Sequence, residues 1–233
     1  MSEKPVLRLD WCTHAAAKYA GEHWHYSKSL PTPPLVKIGA WENEVFIGCV
    51  LFSRGANNNM AKAYSLTIIE ACELTRVALS GHVTPTSRIV RIALKKMVEA
   101  NKGLRLIVSY ADPNHGHHGG IYQALGWIYD GQTGEDFAAI DASGRRWHSR
   151  QVSHTGVKRQ YGSLRRVPKH SDCPLIPLLG KHRYLYPLDA AMRTQILPLA
   201  QPYPKRAGSI VVDAPASQAG EDGSVPIPAL PRH

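Results

Sequence analysis

Residues 109–127, SYADPNHGHHGGIYQALGW, are the stretch of the chain that decides how its fold is interpreted. They begin where an apolar run that predicts a buried strand ends, pass through Asp112-Pro113 into a turn rich in histidine and glycine, and end in a short helix carrying Tyr122. A carboxylate therefore stands at a strand end, and a phenol follows a glycine-rich loop. Polar groups without a packing role collect at such junctions where a functional site lies.

The residues around this stretch predict a chain of mixed strands and helices. Before it we expect a strand, a helix capped by Thr13, a meander of three strands, and an amphipathic helix capped by Thr86 or Ser87. After it we expect a strand, a hairpin and a last edge strand. The predicted strands are 6–11, 35–41, 45–53, 72–79, 104–110, 127–130, 137–140, 147–152 and 181–186. The fold class predicted is α/β (α+β), with a mixed, mostly antiparallel sheet flanked by helices.

Length and composition predict one folded unit with appendages. A chain of 233 residues with 43% hydrophobic residues can bury a substantial core. We assign residues 1–140 to a catalytic core and residues 141–200 to a basic extension packed on it. Residues 201–233, which are rich in proline and poor in apolar periodicity, predict a disordered tail.

The charge of the chain indicates a polyanionic partner. Lys and Arg number 28 against 18 Asp and Glu, which gives a formal net charge of +10. The excess is concentrated in residues 145–170, where aromatic residues occur among the bases and no acid is present. Such a run favours nucleic acid over a membrane surface, because it lacks an amphipathic helical period. The candidate DNA-binding residues are Arg145, Arg146, Arg150, Lys158, Arg159, Arg165, Arg166 and Lys169.

Other classes of protein are disfavoured by the sequence. No stretch approaches the ~18 apolar residues that cross a bilayer, so we expect no membrane partner. The four cysteines, Cys12, Cys49, Cys72 and Cys173, are scattered and predict reduced thiols in a cytoplasmic protein. The sequence leaves the oligomeric state open, and a dimer is compatible with it.

The predicted order of elements resembles the GNAT acyltransferase fold. The chain also contains several short motifs: HYS at 25–27 with LP at 30–31, ELTR at 73–76, SYAD at 109–112, GIYQ at 120–123 and KHRY at 181–184. These motifs resemble the Mom proteins of Mu-like phages. None is specific alone, but together they cover residues 25–186 in order.

This resemblance implies a particular function. Mom proteins convert adenine in phage DNA to N6-carbamoylmethyladenine, which protects that DNA from host restriction enzymes. The resemblance implies double-stranded DNA with a flipped adenine as partner, host cytoplasm as location, and acetyl-CoA or a related donor and iron as candidate cofactors. The catalytic residues it implies are Tyr26, Arg76, Ser109, Asp112 and Tyr122.

One feature departs from the ordinary GNAT pattern. There, the loop before the long helix reads Arg/Gln-x-x-Gly-x-Gly/Ala, and its amides hold the CoA pyrophosphate. Here residues 79–88 read LSGHVTPTSR, with the single glycine Gly81. Binding of acetyl-CoA in the usual way is therefore not expected.

Asp112 and Tyr122 each have a structural and a functional interpretation. Asp112 could open an Asp-Pro turn, or it could act as general base for the poorly nucleophilic adenine amine. Tyr122 could be a core aromatic residue, or it could act as general acid or hydrogen-bond donor to a leaving group.

Arg76 and Tyr26 also favour a substrate-binding role. Arg76 lies in an otherwise apolar strand, and Glu73, three residues away, should point to the opposite face of that strand. We therefore expect Arg76 to face a substrate carbonyl or phosphate. Tyr26 could pack on the core, or it could stack on an adenine extruded from the duplex.

The histidines of the turn predict a candidate metal site. His115, His117 and His118 could ligate iron, with Asp112 as the available carboxylate. The alternative is a polar glycine-rich loop that contacts phosphates.

Three functions remain open at this stage. The first is a DNA-modifying enzyme of the Mom type. The second is a GNAT N-acetyltransferase that uses acetyl-CoA on a small amine or a protein. The third is a non-catalytic DNA-binding protein, which would explain the basic run and leave Arg76, Asp112 and Tyr122 without a role.

Overall fold

The fold is taken from a computed structural model, in which the structure describes residues 4–31, 34–55, 59–160 and 162–205. The predicted disordered tail lies outside the described residues, except for residues 201–205. Among the described residues no helix is long and apolar enough to cross a membrane. All four cysteines are free thiols, as predicted.

The described residues form twelve strands and four α-helices, most of them close to the predicted positions. The strands are β1 (Leu7–Trp11), β2 (Leu35–Glu42), β3 (Val45–Ser53), β4 (Ala71–Leu79), β5 (Leu106–Ala111), β6 (Ile128–Gln132), β7 (Asp136–Ile140), β8 (Arg146–His148), β9 (Val157–Gln160), β10 (Ser163–Arg166), β11 (Leu175–Leu178) and β12 (His182–Pro187). The helices are α1 (His14–Trp24), α2 (Thr86–Ala100), α3 (Gly120–Ala124) and α4 (Ala190–Ile196).

Seven strands build the main sheet, in the order β1-β2-β3-β4-β5-β12-β6. Every neighbouring pair is antiparallel except β4 and β5, which run parallel with Ala71 opposite Leu106 and Leu74 opposite Ser109. The predicted fold class, a mixed and mostly antiparallel sheet flanked by helices, is confirmed.

Helices cover both faces of this sheet. α2 places its apolar stripe, including Ile89, Leu94 and Met97, in the largest core cluster. α1 begins at its predicted cap, since the Thr13 hydroxyl accepts a hydrogen bond from the Ala16 amide at 3.1 Å. Its alanines pack on the opposite face of the sheet, because their small side chains allow the helix to lie close to β3 and β4. The core therefore has two layers, one on each side of the sheet.

β12 corrects one prediction. The segment 181–186 was expected at a sheet edge, but β12 lies between β5 and β6 and pairs antiparallel with both. Tyr184 and Leu185 are fully buried there. Thus a strand from the segment assigned to the basic extension completes the main sheet.

Four further strands of that extension, together with β7 from the preceding segment, form two small sheets. One has the order β11-β7-β8, and the other is the β9–β10 hairpin. The predicted hairpin across residues 141–144 is confirmed by the antiparallel pairing of β7 with β8. Ala139, Val152 and Cys173 form a small apolar cluster beneath it. We call residues 136–178 the basic arm.

The start of α2 also differs from its prediction. The helix begins at Thr86 after Pro85, and no side chain caps it. Instead the buried carboxylate of Glu42 accepts hydrogen bonds from the amides of Val83 at 2.9 Å and Thr84 at 2.6 Å. A carboxylate from β2 therefore accepts the hydrogen bonds of two backbone amides in the loop that leads into the helix.

Candidate active site

The candidate site lies where the two parallel strands separate. The pairing of β4 with β5 ends at Leu74 and Ser109, and both strands continue beyond that point. Arg76 follows on β4, and Asp112 follows the end of β5. The carboxyl ends of adjacent parallel strands are a common place for ligand binding, because the strand ends diverge there.

A β-bulge on β4 sets the direction of Arg76. The register against β3 shifts so that Thr75 is the extra residue between Leu74 and Arg76. Before the bulge, Leu74 packs toward α2; after it, Val77 packs toward α2 and Ala78 packs toward α1. The normal alternation of side chains is thus reversed across the bulge.

This bulge corrects the prediction about Glu73. Strict alternation would put Glu73 and Arg76 on opposite faces, whereas the reversal places both on the face away from α2. The sequence argument against Glu73 as a neighbour of Arg76 is therefore wrong. The Glu73 charge adds to the burial that raises the pKa of Tyr110 and the pKa of Tyr122.

The Arg76 guanidinium retains donor capacity. Its Nη1 donates to the carbonyl of Thr75 at 2.7 Å. Its Nε is buried and has no hydrogen-bond partner among the described residues. A buried guanidinium N–H without an acceptor is costly, so a substrate oxygen that binds there would satisfy it.

Ser109 and Tyr122 form a buried hydrogen-bond chain. The Ser109 Oγ lies 2.7 Å from the Tyr122 hydroxyl and 2.7 Å from the carbonyl of Leu74. A hydroxyl has one proton and the carbonyl can only accept, so Ser109 donates to Leu74 when it accepts from Tyr122. Burial raises the pKa of Tyr122 to about 12, so the phenol keeps its proton at neutral pH. Ser109 is fully buried and acts by positioning the Tyr122 hydroxyl.

Asp112 opens the turn with one carboxylate oxygen and leaves the other oxygen outside it. Its Oδ1 accepts hydrogen bonds from the Asn114 amide at 3.0 Å and from Asn114 Nδ2 at 2.9 Å, and so opens the turn at residues 113–115. Its Oδ2 lies 3.6 Å from the Lys181 ammonium. Burial alone would raise the pKa of Asp112, but Asn114 and Lys181 outweigh burial and the pKa is lowered. One oxygen builds the turn, and the other is an ionised acceptor beside a lysine.

Tyr26 joins the site through a group of aromatic rings. Its ring centroid lies 4.2 Å from that of His25, 4.3 Å from that of His115 and 5.2 Å from that of His117. Burial raises the pKa of Tyr26, while the Arg76 charge opposes and the Asp112 charge adds to this effect. Since both charges act on its phenol, Tyr26 shares the site with Arg76 and Asp112. Its side chain nevertheless stays 42% exposed, so the ring is accessible to a ligand.

His25 was not among the predicted site residues. Burial, followed by the nearby Arg76 charge, lowers the pKa of His25 to about 3, so the imidazole is neutral. The Ser27 amide donates to its Nδ1 at 3.1 Å, which places the remaining ring proton on Nε2. The only sequence signal for His25 was its position in the motif at 25–27.

The histidine turn does not provide the predicted metal site. His115 and His117 lie beside Tyr26, whereas the His118 ring lies next to Gly120. In the described part of the chain, no three His, Cys, Asp or Glu side chains are placed to hold a metal ion. The expectation that these histidines bind iron thus gains no support.

Gly119 fixes the shape of this turn. A Cβ at Gly119 would lie 2.3 Å from the Tyr184 ring, and its φ is +83°. The Tyr184 hydroxyl donates to the His118 carbonyl at 2.5 Å, and Gln123 Nε2 donates to the same carbonyl at 3.1 Å. Tyr184, on β12, therefore holds the turn through both ring packing and a hydrogen bond.

We expect Gly119→Ala to destabilise the protein much more than Gly116→Ala. Gly116 also has a positive φ, +73°, but a Cβ there meets nothing within 4 Å. Gly116→Ala should cost about 1 kcal/mol from the backbone alone, and Gly119→Ala should cost this plus about 1–3 kcal/mol for overpacking against Tyr184. Urea unfolding of both variants measures the difference. Equal losses would contradict the proposed contact.

Lys181 and Asn114 are further site residues that sequence reasoning missed. Lys181 had been noted only as part of the motif at 181–184, and it reaches Asp112 because β12 pairs with β5. Asn114 also accepts from the Leu179 amide and donates to its carbonyl, both at 3.0 Å. Asn114 thus joins Leu179, the residue directly after the basic arm, to the turn that holds Asp112.

We expect Lys181→Met to raise the pKa of Asp112. The Lys181 ammonium stabilises the ionised carboxylate and so lowers the pKa of Asp112. Without it, the effect of burial, which raises this pKa, is less well balanced. Because the folded-state pKa is lowered, Asp112 stabilises the fold above its unfolded pKa, and this stabilisation is lost as the pH falls through the folded value. A carbon-13 NMR titration of the Asp112 carboxyl, with Lys37→Met as control, measures the shift. An unchanged midpoint would show that Lys181 does not act on Asp112.

The predicted DNA-binding residues do not all present free charges. Arg146, Arg159, Arg165 and Arg166 are exposed, as are Arg150 and Lys169. The Arg145 guanidinium lies over the Trp147 ring at 4.3 Å. The Lys158 ammonium donates to the carbonyl of Arg150. The described cations of the arm therefore divide into exposed groups and groups that also hold the arm together.

The basic arm lies beside Asp112. His148 is 3.5 Å from Asp136, and its pKa, lowered mainly by burial, is also influenced by Asp136, Lys181, Arg150 and Asp112. This electrostatic coupling and the Asn114–Leu179 hydrogen bonds join the arm to the site.

The loop before α2 does not fit CoA in the usual manner. In that manner, free amides at the helix start would bind the pyrophosphate. Here Glu42 already accepts from the Val83 and Thr84 amides, and its negative charge would repel a pyrophosphate. The structure thus agrees with the departure seen in the sequence, and no step is assigned to CoA.

Comparison with known proteins gives distant structural similarities. No curated protein matches the chain. A candidate acetyltransferase of Acinetobacter baylyi ADP1 is 14% identical, with a TM-score of 0.46, over 81% of this chain and 96% of the other. A candidate acetyltransferase of Salmonella typhimurium, solved with acetyl-CoA, is 11% identical, with a TM-score of 0.44, over 79% and 95%. An N-acyl amino acid synthase from uncultured soil microbes is 11% identical, with a TM-score of 0.43, over 82% and 94%.

These structural similarities are too distant to indicate a function. The family of the chain is shown instead by a match to a protein-family model. The model of the Mom protein family matches residues 6–205, which include the whole main sheet, the basic arm and every candidate site residue. The chain therefore belongs to the Mom protein family.

Proposed function

We propose that this protein is a transferase that replaces one N6 hydrogen of adenine in DNA with a carbamoylmethyl group and thereby protects phage DNA from host restriction. Membership of the Mom family supports this proposal. The observation that carries it is the combination of an ionised Asp112, with Oδ2 not used by its own turn, and an Arg76 Nε without a described acceptor.

The group of rings around Tyr26 suits an extruded base. An adenine within a duplex cannot present its N6 to an enzyme until it is flipped out of the stack. The exposed Tyr26 ring, beside His25 and His115, offers a surface on which such a base can stack. Stacking on an aromatic side chain contributes about 1–3 kcal/mol per base. Arg76 and Asp112 lie close to the same ring.

The proposed chemistry balances as a substitution at N6. The donor is a small molecule with a carbamoylmethyl group attached to a leaving group. As the N6–carbon bond forms, Asp112 Oδ2 takes the N6 proton, which makes the amine more nucleophilic. The bond between the carbamoylmethyl carbon and the leaving group breaks, and the electron pair departs with the leaving group. Tyr122 turns its hydroxyl from Ser109 to protonate that group, and Arg76 binds the carbamoyl oxygen.

The basic arm supplies the proposed DNA surface. Its exposed arginines offer phosphate contacts, and the arm is joined to the turn that holds Asp112. DNA bound along the arm would thus bring an extruded adenine toward Tyr26. Phosphate contacts of this kind position a protein on DNA, and here they would position it with the candidate active site facing the duplex.

A restriction-protection assay tests the proposal. Plasmid DNA from cells that express the protein is digested with several enzymes whose recognition sequences contain adenine, and with enzymes that recognise only G and C. We expect protection from the first set and complete cleavage by the second. Asp112→Asn should lose protection, whereas Asp10→Asn, at an exposed carboxylate on β1, should keep it. Cleavage by every enzyme despite good expression of the wild type would contradict the proposal.

A further inference from the structure

The β9–β10 hairpin is the most cationic small element of the basic arm. The two strands carry Lys158, Arg159, Arg165 and Arg166 and contain no acid. Every residue of β10 is exposed. The hairpin is tied to the arm at its base, because the Lys158 ammonium donates to the carbonyl of Arg150. A two-stranded ribbon of this kind has the width of an element that enters a DNA groove.

The register of the hairpin divides its side chains between two faces. Leu164 is opposite Arg159, and Arg166 is opposite Val157, so these four side chains share one face. Arg165 is opposite Lys158 on the other face. Each face therefore carries two cations, and the first face also carries Leu164.

Leu164 stands out on this ribbon. It is 71% exposed and lies directly opposite the exposed Arg159. Single exposed leucines are ordinary on protein surfaces. On a ribbon whose other conspicuous side chains suit phosphates, an exposed leucine suits the apolar interior of the base stack. Apolar wedges of this type separate base steps in complexes that deform DNA.

We propose that the β9–β10 hairpin lies in the major groove of the duplex and that Leu164 inserts into the base stack, where it fills the gap left by the extruded adenine. This inference rests on the proposed function, since an enzyme that acts on the N6 of adenine in a duplex needs that base extruded. Arg159, Arg165 and Arg166 contact phosphates and hold the ribbon in place. Leu164 is thus a positioning residue that favours the extruded state.

The experiment uses the full-length protein and two labelled DNA duplexes that differ only in a central mismatched adenine. A mismatch lowers the cost of extrusion, so the wild type should bind the mismatched duplex about tenfold more tightly. Leu164→Ala should remove most of this preference and leave the salt dependence unchanged. The control Leu197→Ala, at a 52% exposed leucine outside the arm, should keep the full preference.

Charge variants test the phosphate contacts separately. The double variant Arg159→Ser with Arg165→Ser should weaken binding to both duplexes and reduce the slope of log K against log salt by about 1.8, from 0.9 per phosphate. Arg91→Ser, at an exposed arginine on α2, should leave the slope unchanged. An unchanged slope in the double variant would overturn the placement of the hairpin. Equally tight binding to an RNA duplex would also overturn it, because the deep major groove of A-form RNA is too narrow to admit the hairpin.

The failure of this inference can be told apart from the failure of the proposed function. If Leu164→Ala keeps the mismatch preference while the wild type protects plasmid DNA, the wedge is wrong and the function stands. If the wild type does not protect DNA but Leu164→Ala still loses the preference, the wedge stands and the function fails. A wild type without any mismatch preference overturns the wedge by itself.

Discussion

Asp112→Asn is expected to lower the yield of modified adenine about 10²–10⁴-fold, because the amide cannot take the N6 proton. Asparagine is nearly isosteric, and its side-chain oxygen can still accept from Asn114, so the turn at residues 113–115 should be kept. Nucleoside analysis of DNA from expressing cells measures the loss, and thermal unfolding of the purified variant checks the fold. Modification at the wild-type level would show that Asp112 is not the base.

The matched control is Asp189→Asn, which removes a carboxylate of a different kind. Asp189 caps α4 through the Met192 amide at 2.7 Å and pairs with Arg105 at 2.8 Å. Asparagine can still cap the helix, so the variant loses mainly the exposed ion pair with Arg105, and its stability should fall by at most about 1 kcal/mol. Its effect on modification should follow the amount of folded protein alone, whereas Asp112→Asn should reduce activity without a matching loss of stability.

Arg76→Met is expected to lower modification about 10²–10³-fold, because it removes the donors proposed to bind the carbamoyl oxygen of the incoming group. Methionine also fits a half-buried strand position. Because it has no polar N–H group, the variant avoids the free-energy cost of burying the Arg76 Nε without an acceptor among the described residues. Stability should therefore be kept or increased while activity falls. We would measure the modification activity per folded molecule and the midpoint of urea unfolding for the variant and the wild type. The activity should fall while the midpoint stays the same or rises.

Arg76→Lys separates charge from geometry. Lysine keeps the positive charge but lacks the planar set of donors that guanidinium presents to an oxygen. We expect the modification activity of Arg76→Lys to be closer to that of Arg76→Met than to that of the wild type. Near-complete activity in Arg76→Lys would mean that the charge alone is required, and unchanged activity in Arg76→Met would remove Arg76 from the mechanism.

Local elements of the fold were predictable because local residues determine them. The Thr13 cap, the β2–β3 hairpin and the apolar stripe of α2 follow from short-range patterns. The position of β12 was not predictable in this way. A strand of period two does not show whether it lies at an edge or between two neighbours, and β12 is inserted between β5 and β6, more than 40 residues earlier in the chain.

The motifs indicated Tyr26, Arg76, Ser109, Asp112 and Tyr122 as candidate site residues, but not how they are arranged. In the structure Ser109 is hydrogen-bonded to Tyr122, and the charges of Arg76 and Asp112 act on Tyr26. The bulge at Thr75 was not visible in the sequence, since the register against β3 determines it, and for that reason the prediction about Glu73 failed. Lys181 was missed because only the pairing of β12 with β5 places it beside Asp112.

The α2 start illustrates a further limit of local patterns. Ser or Thr near a helix start predicts a side-chain cap, but the acceptor used is Glu42, about 40 residues away. The same contact removes the amides that a CoA pyrophosphate would use. A long-range hydrogen bond thus decides both the local structure of the loop and the ligand it can bind.

The most direct test of the central claim is the mass of deoxyadenosine in DNA from cells that express the protein. Enzymatic digestion to nucleosides, followed by mass spectrometry, should reveal deoxyadenosine that carries one carbamoylmethyl group in place of an N6 hydrogen. This species should be present with the wild type and with Asp10→Asn, and lost with Asp112→Asn. DNA with only ordinary deoxyadenosine, from cells rich in folded wild-type protein, would contradict the claim.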